Sequence, residues 1–150
     1  MRIDRNGTWY YRGSPIGRLA LVKLFSTVLR RDTDGTFWLT TPAENGRIEV
    51  EDAPFIGVEL IAEGAGRNQI IRIRTNVDDV VTMDETHGLR VAYAGEEPRP
   101  YVHIRKGLEA RLARAVFYHL VALGETSDTA DGVFGVWSCG QFFILGSPGS

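Results

Sequence analysis

At 150 residues, 43% hydrophobic and 24% charged, the chain has the composition of a folded protein and the length of one domain or two small subdomains sharing a core. Seventeen basic against nineteen acidic residues give a formal charge of −2, which removes the bulk electrostatic case for nucleic acid or an anionic membrane. No apolar run approaches the roughly 18 residues of a membrane span, and residues 1–7 lack the apolar core of a signal peptide. The single cysteine, Cys139, excludes an intrachain disulfide and a multi-cysteine metal site, so a cytoplasmic address is the default expectation.

In chain order, strands at 3–5 and 8–12 flank Asn6-Gly7, a pair suited to a type I′ turn. Ser14 reads as an N-cap and Pro15 as the first residue of a helix over 15–30, whose apolar stripe is Leu21, Leu24, Phe25 and Val28. A turn at 32–35 precedes a strand at 36–40, and 47–51 alternates charged with apolar residues as a half-buried strand does. Pro54 breaks the chain. Residues 55–62 and 69–75 form a hairpin closed by 63–68, with Ile71 and Ile73 alternating with Arg72 and Arg74. Short strands follow at 80–83 and 89–93, a loop at 94–98, and a strand at 101–105. A second helix is expected over 108–123, apolar on two faces: Leu112, Val116, Leu120 and Leu123 on one, Ala110, Ala113, Phe117 and Val121 on the other. Gly124 ends it, and a polar loop leads to a final hairpin at 133–137 and 141–145.

The stretch from Trp9 to Leu29 has a degraded second copy from Tyr101 to Leu123. Arg18-Leu19-Ala20 matches Arg111-Leu112-Ala113 at a shift of 93, which also sets Arg12 on Arg105. Asp34-Gly35-x-Phe37 matches Asp131-Gly132-x-Phe134 at a shift of 97. The expected fold is therefore α+β: mostly antiparallel strands and two long helices in two interlocked subdomains from an internal duplication, 1–52 and 53–146, with a tail at 147–150.

Four clusters could carry chemistry. Gly13 to Arg18 would place Ser14 and Arg18 at a helix N-terminus, an anion site if it is more than an ordinary Ser-Pro cap, which accounts for every residue but Arg18. Glu44, Glu49, Glu51 and Asp52 could act as acid–base carboxylates or simply form a solvated strand face beside Arg47. Arg12, Arg72, Arg74, His103, Arg105 and Lys106 would line a basic cleft if their strands meet where the subdomains join; otherwise they are separate surface cations. Gly64 to Asn68 precedes a strand and reads as a hairpin turn, not a phosphate loop. His87, His103 and His119 lack metal-ligand spacing; His119, at the edge of the apolar stripe, reads as a core histidine. Cys139, flanked by glycine, reads as structural. No nucleophile, Walker-type or zinc motif occurs, so no catalytic residue, metal or cofactor is assigned.

The run Asn6-Gly7-Thr8-Trp9-Tyr10-Tyr11-Arg12-Gly13-Ser14-Pro15-Ile16-Gly17-Arg18, followed by Leu21 to Phe25, resembles a proteobacterial family catalogued as domain of unknown function 1285. So do Thr41-Pro42-Ala43-Glu44, Val50 to Phe55, Thr75-Asn76 and Tyr101 to Ala110. The resemblance implies a duplicated α+β core whose C-terminal half superficially resembles pleckstrin-homology folds. It also implies a nucleotide-based ligand at the domain junction and a role in signal transduction. Its motif positions here are Arg12, Ser14, Arg18, Thr41, Glu44, Asp52, Pro54, Phe55, Asn76 and Arg105. Asn45-Gly46 departs from the more strand-like residues expected after Glu44.

The leading functional expectation is a non-catalytic module of signal-transduction type that binds an anionic, nucleotide-like small molecule between the two copies. A protein-interaction scaffold using exposed Trp38 or Trp137 is the alternative. A hydrolase or metal enzyme using Glu44, Glu49 or Asp52 is the third.

Overall fold

The computed structural model of the protein describes residues 1–42, 45–127 and 132–146. The N-terminal half comprises β1 (Arg2–Ile3), β2 (Trp9–Tyr11), β3 (Ser14–Pro15), α1 (Leu19–Thr27), β4 (Leu29–Arg31), β5 (Phe37–Thr40) and β6 (Asn45–Val50). The C-terminal half begins with β7 (Phe55–Glu63), β8 (Ile70–Thr75), β9 (Val80–Thr82), β10 (Leu89–Ala94), β11 (Glu97–Arg105) and β12 (Leu108–Leu112). It ends with α2 (Arg114–Ala122), β13 (Glu125–Thr126), β14 (Phe134–Ser138) and β15 (Gln141–Gly146). The α+β expectation holds, with strand predominating.

The first two sheets share one plan. Their orders are β3-β2-β1-β6-β5-β4 and β9-β8-β7-β12-β11-β10. Each is a pair of three-stranded meanders whose first and last strands lie side by side and parallel, Ile3 opposite Val50 in one and Phe55 opposite Ala110 in the other. The other described pairings are antiparallel, and β13-β14-β15 forms a small third sheet.

Alternation decides the strand faces. Along β8, Ile71, Ile73 and Thr75 are buried while Arg72 and Arg74 lie between them, half-exposed. One apolar cluster runs through both halves, taking in Ile3, Trp9, Phe55, Ile71, Leu108 and Leu120. The halves are also tied by polar bonds. Asn76 Oδ1 accepts the Ile56 N–H and Asn76 Nδ2 donates to the Gly7 carbonyl, Arg31 donates to the Gly107 carbonyl at 3.0 Å, and Lys23 pairs with Asp78 at 2.6 Å.

Both helices are shorter than their sequence patterns predict. Ser14 and Pro15 form strand β3 against Tyr11 and Tyr10, so Ser14 caps nothing and Pro15 sits on a sheet edge, where a missing N–H is harmless. Arg18 is the residue before α1 and makes no side-chain cap. The first part of the expected second helix is strand β12, whose Leu108, Ala110 and Leu112 are buried at period two. The same residues fit a helical stripe, and pairing with β11 decides between the periods. His119 is exposed on α2, not a core histidine. Residues 94–98, expected as a loop, continue the β10–β11 ladder around a turn at Gly95-Glu96. The tail at 147–150 lies outside the described residues.

Tight X-Gly turns with two positive φ values occur at Arg12-Gly13 (50°, 80°), Lys106-Gly107 (46°, 80°) and Cys139-Gly140 (53°, 77°), as type I′ hairpins require. Asn6-Gly7 is different: only Gly7 is left-handed, and the Asp4 carbonyl accepts the Gly7 N–H. The shared turn geometry sets Arg12 against Lys106, not Arg105. The order hairpin, helix, three-stranded meander recurs as β2-β3-α1-β4-β5-β6 and β11-β12-α2-β13-β14-β15.

Candidate functional site

A cleft of about 390 Å3 lies where the N-terminal half meets β11, β12 and the start of α2. Among the described residues four arginines line it, Arg5, Arg99, Arg111 and Arg114, beside one acid, Glu97. The sheet supplies their arrangement. Tyr101 lies opposite Arg90 on one side and Arg111 on the other, so the three share a face, and Arg99, two residues from Tyr101, shares it too.

Asp52 fixes the floor. One carboxylate oxygen accepts the Tyr101 hydroxyl at 2.6 Å and the other accepts from Arg111 at 3.1 Å. Arg111 also donates at 2.8 Å to the backbone carbonyl of Arg5, so one guanidinium spans the two halves. Burial, then the hydrogen bond to Asp52, pushes the Tyr101 phenol above its ordinary value. Arg90 lies 4.4 Å from the Tyr101 ring centroid and is bidentate to Glu109, which raises its own pKa. Arg5 is held by Glu51 through both its backbone N–H and its side chain.

Arg99 and Arg114 are the uncommitted cations. Among the described residues neither has a carboxylate within ion-pair distance; Arg114 lies 5.9 Å from the Tyr118 ring. Arg114 is also the first residue of α2, whose preceding Ala113 offers no side-chain acceptor and whose first turn carries no acid. The helix end therefore leaves backbone N–H groups and a partial positive charge beside the two free guanidinium groups. Such a set can hold a carboxylate or phosphate by charge-assisted, bidentate hydrogen bonds.

The residues nominated from sequence are mostly elsewhere. Arg12, at the tip of the β2–β3 turn, is exposed over Tyr11; Ser14, on β3, and Arg18, before α1, are exposed too. Arg105 bonds Asp79 and the Ser26 carbonyl, both at 2.8 Å, and covers the Phe55 ring. Pro54 and Phe55 are core residues, and Asn76 bridges the halves. Thr41 lines a separate groove beside α1. Glu44 lies outside the described residues. Only Asp52 reaches the cleft, through Arg111.

Of the basic cleft expected from Arg12, Arg72, Arg74, His103, Arg105 and Lys106, only Arg105 and Lys106 come together, lining a recess of about 380 Å3 between the halves with Arg30 and Arg31. Arg72 pairs with Glu63, Arg74 pairs with Glu59 and Asp78, and His103 is bonded to Thr86 and Gly107. The acidic cluster is likewise divided: Glu51 serves Arg5, and Asp52 serves Arg111 and Tyr101. Among the described residues no three acids, histidines or cysteines could hold a metal. Trp38 and Trp137 are half-buried, their indole N–H groups bonded to Thr36 and Glu125. Among the described residues, no helix is long and apolar enough to cross a membrane.

The cleft's own cations escaped the sequence reading because they come from four separate segments: the β1–β2 turn, β11, β12 and α2. Arg111 appeared only as the counterpart of Arg18, and Arg99 fell between the loop expected at 94–98 and the strand expected at 101–105. The one available signal was the alternation of Arg99 with Tyr101, which continues the strand backwards through the prolines.

Comparison with known proteins follows the same division of the chain. A family model described as the N-terminal domain of DUF1285, a domain of unknown function, matches residues 1–53, and one for the C-terminal domain of DUF1285 matches residues 54–145. The chain is similar to the crystal structure of a DUF1285 family protein from Silicibacter pomeroyi DSS-3. That similarity has a TM-score of 0.91 and 46% identity over 99% of this chain and 80% of that one. A DUF1285 family protein from Shewanella baltica OS155 is similar at a TM-score of 0.62 and 27% identity, over 81% of this chain and 89% of that one. No curated protein matches. With both family models covering nearly its full length and a 46% identical relative sharing its fold, the chain belongs to the DUF1285 family.

Proposed function

We propose that the protein is a non-catalytic binding module whose ligand is a small anion, phosphorylated or nucleotide-like, held in the cleft between the two halves. The observation that carries this reading is the pair Arg99 and Arg114: two guanidinium groups without acidic partners among the described residues, facing one cleft beside a helix end with no side-chain cap. Asp52 and Arg111 act as positioning residues, since each is committed to holding the floor. Tyr118 and Phe117 add an aromatic wall against which a base could stack. The resemblance to the family suggests signal transduction as the setting, and a cytoplasmic location is part of the same proposal.

A thermal-shift series with inorganic phosphate, nucleotides and cyclic nucleotides tests it. A ligand at a hundred times its dissociation constant should add about 2.7 kcal/mol. Arg99→Ala and Arg114→Ala should each abolish that gain while leaving the unliganded melting temperature unchanged. No shift across the panel, or shifts indifferent to both substitutions, would overturn the reading.

A further inference from the structure

We propose that His103 is an acid-sensitive latch between the two halves: the neutral ring holds the Lys106–Gly107 turn against Arg31, and protonation of its second nitrogen releases it. The ring sits near the end of β11 and is bonded through both nitrogens, Nδ1 to the Thr86 carbonyl at 2.8 Å and Nε2 to the Gly107 backbone N–H at 3.0 Å. The partners fix the roles. A carbonyl only accepts and an amide N–H only donates, so Nδ1 carries the proton and Nε2 offers its lone pair. The imidazole is therefore held neutral and in one tautomer. A further proton has one place to go, Nε2, and there it meets the Gly107 N–H. The bond cannot survive that protonation, and histidine is the side chain that ordinarily takes up a proton between about pH 8 and about pH 5.

The backbone is irregular at this point. His103 lies opposite Glu109, yet Arg105 lies opposite Leu108, so β11 holds one residue more than β12, a bulge of the kind that re-aims a neighbouring side chain. Lys106 and Gly107 then turn the chain with φ values of 46° and 80°, which leaves the Gly107 N–H outside the β11–β12 ladder. His103 accepts that N–H, and on the other side of the residue the Gly107 carbonyl accepts from Arg31 of β4 at 3.0 Å. Gly107 is thus gripped by a histidine of its own half and by an arginine of the other. The same turn carries Lys106, which lines the recess between the halves with Arg30, Arg31 and Arg105. It lies at the opposite end of the β11–β12 hairpin from the cleft of Arg99 and Arg114, so the latch stands apart from the anion reading.

The charges around the ring do nothing to hold an imidazolium in place. His87, from the turn that supplies Thr86, stacks on His103 with ring centroids 6.4 Å apart. The His87 Nδ1 faces Asp84 at 3.1 Å and the Thr86 hydroxyl at 3.0 Å, an arrangement that a charged ring keeps. Charge on His87 breaks no bond, charge on His103 breaks one, and charge on either opposes charge on the other. Glu109, opposite His103 on β12, is bidentate with Arg90 of β10. Tyr101, two residues back, is bonded to Asp52, and Arg105, two residues on, to Asp79 and the Ser26 carbonyl. Glu85 is exposed in the turn beside Thr86, and Lys106 adds a positive charge beside Gly107. Among the described residues no carboxylate is within ion-pair distance of His103.

The test is a pH titration of the full, nitrogen-15-labelled chain by nuclear magnetic resonance. At about pH 8 His103 should show the tautomer protonated at Nδ1. On acidification to about pH 5 the Gly107 amide signal should move together with the His103 ring, and its exchange protection, corrected for the intrinsic effect of pH, should fall on the order of tenfold. His103→Gln, whose amide both donates and accepts without titrating, should keep Gly107 protected at both pH values. His87→Gln should leave the response in place. A double-mutant cycle of His103→Ala with Arg31→Ala should show coupling on the order of fivefold in the folding constant near the alkaline end and none near the acid end. If the His103 variants do not fold, the tautomer and the Gly107 amide of the native chain decide alone. The proposal is overturned by a His103 ring protonated at Nε2 at about pH 8, or by a Gly107 amide that ignores the titration. A His103→Gln chain that responds to pH like the native one, or a coupling equal at both ends, overturns it as well.

Discussion

The two helices have equal length, each follows a type I′ hairpin, and each leads into a three-stranded meander, yet they are held differently. α2 buries Val116, Phe117 and Leu120, and the backbone N–H of its cap residue, Ala113, is bonded to the Gly57 carbonyl of β7. Gly57 has no room for more: a Cβ there would lie 2.6 Å from Leu112 and 3.0 Å from Ile73. α1 buries Val22 and Ser26 alone and leaves Leu24 60% exposed. The difference follows from what comes next. The meander after α2 forms its own sheet, so α2 packs against both β7 and β14; the meander after α1 joins the sheet already begun by β1–β3, and beyond that sheet α1 meets the C-terminal half through Lys23–Asp78 and the Ser26 carbonyl on Arg105. The same local motif thus makes a fixed helix at the arginine-lined cleft and an incompletely seated one beside an apolar groove.

The comparison is broken or sharpened most directly by truncating each helix. Leu120→Ala, at a fully buried position, should cost about 2–5 kcal/mol in urea denaturation, whereas Leu24→Ala should stay within about 0.5 kcal/mol. Equal costs would mean that α1 is seated as firmly as α2. Next in size is the floor of the cleft. Asp52→Asn leaves Arg111 without its carboxylate and should cost about 1.5–3 kcal/mol. It should also lower the Tyr101 titration seen by ultraviolet absorbance, because one of the causes that raise it is gone.

Asn76→Ala removes the bridge between Ile56 and Gly7 and should cost about 1–3 kcal/mol, without altering anion affinity at the cleft. A smaller effect is expected from the two turn-capping acids, one in each half. Burial pushes the Asp4 carboxyl up, but the Thr8 and Asn6 amides, the Tyr10 hydroxyl and Arg2 outweigh it, leaving the carboxyl below its ordinary 3.8. Burial acts the same way on Asp84, outweighed by Thr86 and His87. A depressed folded-state value means that both stabilise fully above the unfolded value and lose that contribution as pH falls through the folded one, so stability should decline on acidification below about pH 5. Asp4→Asn should flatten that decline in an acid denaturation series.

The smallest effect is expected at Ser14. On an exposed sheet edge it should lose less than about 0.5 kcal/mol on changing to alanine, where a true N-cap would lose about 1.

Much of the architecture was legible without coordinates. The hairpin of β7 and β8, the Arg-Ile alternation, the final hairpin around Cys139 and the recurrence of hairpin and helix are local properties of the chain. Errors fell where one pattern satisfied two periods. Leu108 to Leu112 can be read at period two or as part of a 3.6-residue stripe, and Ser14-Pro15 serves a helix start or a sheet edge equally well. Pairing with β11 and with β2 settled each case, and neither partner is visible in the segment itself.

The candidate site was less legible because the proposed function rests on cations that are free, and freedom is a tertiary property. Arg105, Arg72 and Arg74 read as available from their spacing, but Asp79, Glu63, Glu59 and Asp78 lie beside them in the fold. By itself the sequence determined the family, the α+β class, the strand faces and the repeated motif, all fixed by residue chemistry over a few positions. Only the tertiary structure decided which arginines keep an unspent charge, that Asp52 is a strut for Arg111 and Tyr101, and that α1 leaves a groove. Ion pairing and packing are settled between strands tens of residues apart, and no local spacing encodes which of two like charges finds its partner.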